Sequence, residues 1–242
     1  MSTATARIEK KVTQDFLMSC QVTYTGTKYV PVTHSDVIIT VDDYLKECNL
    51  KIKTERYLAG SNGQKAVGVL SVESPDLELD FMIAWKNSLD GSMSFKLAYG
   101  AQVRICSNGM FHGDTGNFKK KHMGDAQDEI KTHIVAAIDC MDPTMRAQGD
   151  MRDVYKAISL SKQRTAELIG RLYLVEDALT AQQLSTVKKE IAHPSCNYGA
   201  PGTVWELYNH CTYALRDAHP LEWHRQHEAV GDFFDKEFNV HI

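Results

Sequence analysis

The sequence predicts an α+β protein: an antiparallel β-meander of about four strands followed by a C-terminal set of helices. Three observations carry that prediction. Apolar and polar residues alternate from Met93 to Ile105, the period of an extended strand. Shorter alternating segments precede it from residue 50 onward, separated by turns rich in Gly, Asn and Asp. Beyond residue 124 the apolar spacing changes to three and four, the period of helices that bury one face. Strands first and helices afterwards is the order of an α+β chain, not of alternating βαβ units.

Residues 1–20 read as a polar lead-in and residues 21–242 as a single α+β domain, sheet-rich over 36–118 and helical over 124–238. In "THSDVIITVDDYLKECNL", Val37, Val41, Tyr44, Leu45 and Cys48 fall at helical spacing, which predicts a helix over 36–48 with Ser35 or Asp36 as N-cap. Residues 50–58 and the segment "KAVGVLSVE" are the first two strands. In "LELDFMIAWK", Leu77, Leu79, Phe81, Ile83 and Trp85 all point one way, and Asp90-Gly91 centres the next turn. The fourth strand is predicted to be half-exposed. Met93, Phe95, Leu97, Tyr99, Ala101, Val103 and Ile105 face the core, and Ser94, Lys96, Ala98, Gly100, Gln102, Arg104 and Cys106 face water.

Ile130, Ile134, Ala137, Ile138 and Met141 share one face of the first C-terminal helix, which Pro143 interrupts. "SKQRTAELIGRLYLVEDAL" and "TAQQLSTVKKEIAH" follow as helices, the second capped by Thr180. "TVWELYNHCTYALRDA" and a last helix opened by Pro220 complete the set.

The 242 residues carry a net charge of −4, which describes neither a globally basic polymer binder nor an acidic mimic of nucleic acid. The six cysteines are scattered without a C-x-x-C pair, the pattern of reduced thiols in a cytoplasmic protein. No apolar run approaches the ~18–20 residues that span a bilayer, and the N-terminus lacks a secretory apolar segment, so no membrane association is expected. A P-loop, a dinucleotide-binding glycine turn, a serine-nucleophile elbow and a four-cysteine zinc pattern are all missing, so no cofactor is expected.

Four segments, "KYVPVTHSDVIITVDDYL", "WKNSLDGSMSFKLAYGAQVRICSNGM", "KKKHMGD" and "GTVWELYNHCTYALRD", occur in an order that resembles the phage- and plasmid-borne family known as domain of unknown function 932. The resemblance spans roughly residues 28–218 and rests on the Asn-Ser-x-Asp-Gly-Ser turn, the Arg-x-Cys-Ser-Asn-Gly block and the Trp-x-x-Tyr-Asn-x-x-Thr helix. It implies a mobile-element origin and a host-cytoplasmic setting. It brings no activity and no catalytic residues.

Charge distribution points to the interface. Between Trp85 and Met123, six cations stand against two carboxylates, a local excess of +4 in a chain whose total is −4. Lys96, Gln102 and Arg104 share the solvent face of the fourth strand by parity, and Lys119, Lys120, Lys121 and His122 follow the next turn. Cations in such a row neutralise successive phosphates and release counterions, so the expected function is non-enzymatic binding of single-stranded nucleic acid in replication or recombination of a mobile element. Two alternatives come from other classes. One is a binder of a host protein, such as a defence component. The other is a metal-dependent phosphoesterase or nuclease using His112, Asp114 and His122, with Cys106 and His112 as a weaker nucleophile pair. An uncovered sheet edge would favour a homo-oligomer.

Overall fold

The computed structural model describes residues 8–24, 26–110, 117–216 and 218–240. In chain order its elements are β1 (Ile8–Val12), α1 (Gln14–Ser19), α2 (His34–Glu47), β2 (Ile52–Gly60), β3 (Lys65–Val72), β4 (Leu79–Ser88), β5 (Phe95–Val103), β6 (Asn108–Met110), β7 (Asn117–Lys120), α3 (Ala126–Asp139), α4 (Met141–Ala157), α5 (Lys162–Leu174), α6 (Ala181–Ala192), α7 (Val204–Ala214) and α8 (Pro220–Phe238). Strands come first and the bulk of the helices later, as an α+β chain requires. The residues group into two compact units. The first takes the described residues within Met1–Glu73, Phe81–Tyr99 and Gly116–Asp142, and the second those within Ser74–Asp80, Gly100–Thr115 and Pro143–Ile242.

In the first unit the strands run β1-β2-β3-β4-β5, and β7 also pairs with β5. The meander predicted for 50–106 is therefore β2 to β5. Within the stretch read as a polar lead-in, β1 pairs antiparallel with β2, and Thr13 caps α1 by accepting the Phe16 N–H at 3.2 Å. Lys11 suits an outermost strand, where charged side chains discourage further pairing.

Helix α2 begins two residues earlier than the spacing predicts. Thr33 is the N-cap, because its hydroxyl accepts the Asp36 N–H while the Asp36 carboxylate accepts the Thr33 N–H, both at 2.9 Å. That reciprocal pair satisfies two otherwise orphaned donors. Val37, Ile38, Val41 and Leu45 are buried on its inner face. Behind them Trp85 is stacked beside His34, with ring centroids 6.3 Å apart.

The alternation expected of β4 is only half of what is seen. Phe81, Ile83 and Trp85 are buried, but so are Asp80, Met82 and Ala84, so this strand is covered on both faces. Leu77 does not join it; at 88% exposure it sits at the tip of a turn. The cause is local polar chemistry: the Asp76 carboxylate accepts the N–H groups of Glu78 and Leu79 at 2.7 and 2.8 Å, which holds residues 76–78 out of the ladder.

In the second unit the end of β5 pairs with β6, placing Ala101 opposite Met110 and Val103 opposite Asn108. Its centre is α7, buried nearly all round, with the polar Asn209, His210 and Thr212 enclosed beside its apolar residues. Trp205 and Tyr208 of α7, Tyr155 of α4 and Phe234 of α8 form one aromatic cluster with neighbouring centroids 5.5–6.2 Å apart. Helix α4 is the element the sequence pattern hides: its inner face is Met145, Gln148, Met151 and Tyr155, too polar and too methionine-rich to stand out. Pro143 lies in its first turn, where a missing N–H leaves no gap in the helix.

Candidate nucleic-acid interface

The basic face is organised by the pairing of β5 with β7. Their register sets Phe95 opposite Lys120, Lys96 opposite Lys119, Leu97 opposite Phe118 and Ala98 opposite Asn117. Directly opposite side chains in an antiparallel pair project to the same face, and the face switches with every residue. Lys96 and Lys119 therefore stand side by side on one surface, with Lys119 exposed and Lys96 partly so. Continuing the register puts Lys121 opposite Ser94, and both line one cavity at the end of this pair. Even so, the face is not open along its whole length, since Ala98 is buried.

Lys120 has the other parity, and its charge is already matched. It faces α3, where its ammonium binds Glu129 and, at 3.1 Å, Asp125. The Glu129 hydrogen bond raises the Lys120 pKa, and the Lys120 contact in turn lowers that of Asp125. Phe118, on the same side, stacks on His133 of α3 with centroids 3.7 Å apart. Lys96, Lys119 and Lys121 make no ion pair with a described residue.

His122 is a wall residue, 4% exposed. Its Nδ1 accepts the Val32 N–H at 3.4 Å and its carbonyl accepts the Val30 N–H at 3.0 Å. With Nδ1 so occupied the proton of the neutral ring is on Nε2, which has no hydrogen-bond partner among the described residues. Burial lowers the pKa of this imidazole, so it stands neutral at pH 7.

Gln102 and Arg104 belong to the second unit and are both engaged within it. Gln102 donates to the Ser107 carbonyl at 3.1 Å. Arg104 clamps the turn before β4: its guanidinium donates to Asp80 at 2.8 Å, to the Ser74 carbonyl at 2.8 Å and to the Leu77 carbonyl at 3.4 Å. The Asp80 side chain is 3% exposed, so removing the guanidinium takes a charged partner from a desolvated carboxylate. Arg104→Ala is expected to destabilise the fold by about 2–3 kcal/mol, below the ~3–5 of a fully buried pair because the arginine keeps some solvent contact. Urea denaturation measures this, and adding Asp80→Asn to the variant should restore part of the loss.

The Arg-x-Cys-Ser-Asn-Gly block and the Trp-x-x-Tyr-Asn-x-x-Thr helix, far apart in the chain, meet in this unit. The Asn108 amide donates to the Asn209 carbonyl at 3.0 Å, and the Cys106 thiol lies 3.7 Å from the Asn209 side-chain oxygen. Asn209 and Thr212 bond back to the carbonyls of Trp205 and Tyr208 at 2.9 and 3.1 Å. This is a structural network. Burial pushes the Cys106 thiol up to about 12, the opposite of what a thiolate nucleophile requires.

His112 and Asp114 lie outside the described residues, so of the three metal-ligand candidates only His122 has a described position. Among the described residues no group of three or more His, Cys, Asp or Glu side chains converges as a metal site would demand. Sequence spacing missed the neighbours of His122 in its cavity wall, namely Tyr24, Lys28, Tyr29, Ser92 and Ser94. No local signal joins residues so far apart in the chain.

These features define a class: an α+β protein with an antiparallel sheet, buried polar junctions and a strand pair, β5–β7, that sets two lysines opposite each other. The chain belongs to the family described as Domain of unknown function (DUF932), whose model matches residues 23–230. No curated protein and no solved structure matches it. No helix among the described residues is long and apolar enough to cross a membrane.

Proposed function

We propose that this protein binds single-stranded nucleic acid, without catalysing a reaction on it, in the replication or recombination of a phage or plasmid. One observation carries the reading: Lys96 and Lys119 are cross-strand neighbours with no matching carboxylate among the described residues, and Lys121 continues the row. Two ammonium groups held side by side repel each other and weaken the strand pair. A chain selected only for solubility has no reason to keep that arrangement, whereas bound phosphates relieve it. The interface is narrower than the full set of basic residues in 96–122, because Arg104 and Lys120 are committed to Asp80 and Glu129.

The test is the salt dependence of binding to a labelled oligothymidylate. A single-strand complex loses about 0.7 in the slope of log affinity against log salt for each phosphate contact removed. Lys96→Ala with Lys119→Ala is therefore expected to lower the slope by about 1.4, while Lys120→Ala leaves it unchanged. Lys119→Glu is expected to strengthen the fold by about 0.5 kcal/mol while weakening binding, the trade that a functional like-charge pair predicts. Binding that ignores salt, or no binding at low salt, would sink the proposal.

A further inference from the structure

The Lys96–Lys119 row ends at a cavity of about 490 Å³ in the first unit, between Tyr24, the segment 26–29, the turn 91–94 and residues 121–123. Its walls carry two ammonium groups, Lys28 and Lys121, and the hydroxyls of Ser92 and Ser94, and no carboxylate is among the lining residues. The donors have an acceptor-poor environment, so the chemistry selects an anion. Aromatic surface stands beside the cations. Tyr24, half-exposed, meets Tyr29 edge to face with centroids 5.0 Å apart.

The site is built and held from several directions. Tyr29 donates its hydroxyl to the Ser88 carbonyl at 3.1 Å and lies 5.4 Å from the His122 ring. Gly91 adopts φ +68, and a β-carbon there would come within 3.1 Å of the Tyr24 ring, so the turn needs glycine both for its conformation and for the ring's approach. The Asp90 carboxylate is turned to the Ser92 N–H at 3.0 Å, fixing the turn. In the same wall, the buried Nε2 of His122 is a polar group with no partner among the described residues. Buried donors without acceptors are rare in folded proteins, and this one lies beneath the cavity wall, not on its surface.

We propose that this cavity receives one phosphorylated nucleotide, its phosphate held by Lys28 and Lys121 and its base against Tyr24 and Tyr29. The volume falls in the range of small-molecule sites and holds a single nucleotide, not a run of them. A flat base stacks on an aromatic face whatever its sequence, and paired ammonium groups take a phosphate as point charges. Such a unit has two sources, a free nucleoside monophosphate or the phosphorylated end of a strand lying along the lysine row. The second source rests on the proposed single-strand binding; the first does not.

Titration calorimetry with the full chain separates them. Thymidine 5′-monophosphate is expected to bind at least about tenfold more tightly than thymidine, and Lys28→Ala or Lys121→Ala each to weaken it by about tenfold. Tyr24→Ala should weaken the nucleotide while leaving inorganic phosphate unaffected. If strand ends are the source, a 5′- or 3′-phosphorylated oligothymidylate will bind about tenfold better than its hydroxyl-ended counterpart, and Lys28→Ala will abolish that difference. If the end phosphate changes nothing while the monophosphate still binds through Lys28, the free nucleotide is the ligand. No monophosphate binding at millimolar concentration by folded protein, or binding indifferent to Lys28→Ala and Lys121→Ala, overturns the site. Lys96→Ala with Lys119→Ala reports on the strand face alone: salt-dependent polymer binding that they weaken, without nucleotide binding, removes only the cavity proposal.

Discussion

Gly68→Ala is expected to destabilise the protein by about 3 kcal/mol, the upper end of the overpacking range, and Gly68→Val by more. Gly68 pairs with Trp85 across β3 and β4, and the indole lies directly over it. A β-carbon at Gly68 would sit 2.4 Å from Trp85 Cε2 and 2.6 Å from Cζ2, where no real contact survives. The ring has nowhere to retreat. It is 2% exposed, stacked beside His34 and tilted against Tyr57 at 6.2 Å. Glycine in a strand interior normally weakens the sheet, and here it is the residue that admits the largest side chain of the first unit's core. A loss of about 3 kcal/mol corresponds to a fall of about 6–12 °C in Tm for a chain of this size. A variant as stable as the parent would show that Trp85 does not occupy this position.

Acidification should destabilise the fold between about pH 6.5 and pH 4, chiefly through His34. This imidazole is buried at the start of α2, with Nε2 donating to the Gly63 carbonyl at 2.9 Å and Nδ1 accepting from the Asn87 amide at 3.1 Å. Those bonds suit the neutral ring. Burial lowers its pKa to about 4; the Gly63 carbonyl opposes the shift and the neighbouring His122 adds to it. The unfolded chain takes up a proton near the ordinary value of 6.5, and the folded chain refuses it until about 4. Stability is thus whole above the unfolded pKa and declines as pH falls through that window. The full loss from His34 is about 3 kcal/mol. His122 and His210 are also shifted down by burial and act with the same sign. His34→Gln retains a donor and an acceptor but cannot titrate, so its denaturation midpoint should fall less steeply with pH. An unchanged slope in that variant would place the sensitivity elsewhere.

The lysine triplet shows how far a linear reading reaches. Three consecutive cations suggest one basic patch, yet the β5–β7 register sends Lys119 and Lys120 to opposite faces. Lys119 meets Lys96, whereas Lys120 meets Glu129 on α3. Arg104 has the right parity for an open face and is nonetheless drawn to Asp80, 24 residues earlier in the chain. Parity was legible because it is a property of the strand itself. The partner of each charge was not, since it depends on which element arrives on that side.

From the amino-acid order alone follow the α+β class, the meander from β2 to β5, the helical C-terminal half and the family, because side-chain period and turn chemistry act over a few neighbouring residues. Only tertiary structure decided that β4 is covered on both faces, that Arg104 and Lys120 are already neutralised, and that His122 closes a cavity with Lys28 and Tyr29. Those outcomes depend on contacts between groups up to about ninety positions apart, such as the bond from the Val32 N–H to the His122 ring, and no local pattern encodes which distant group will complete a buried or charged one.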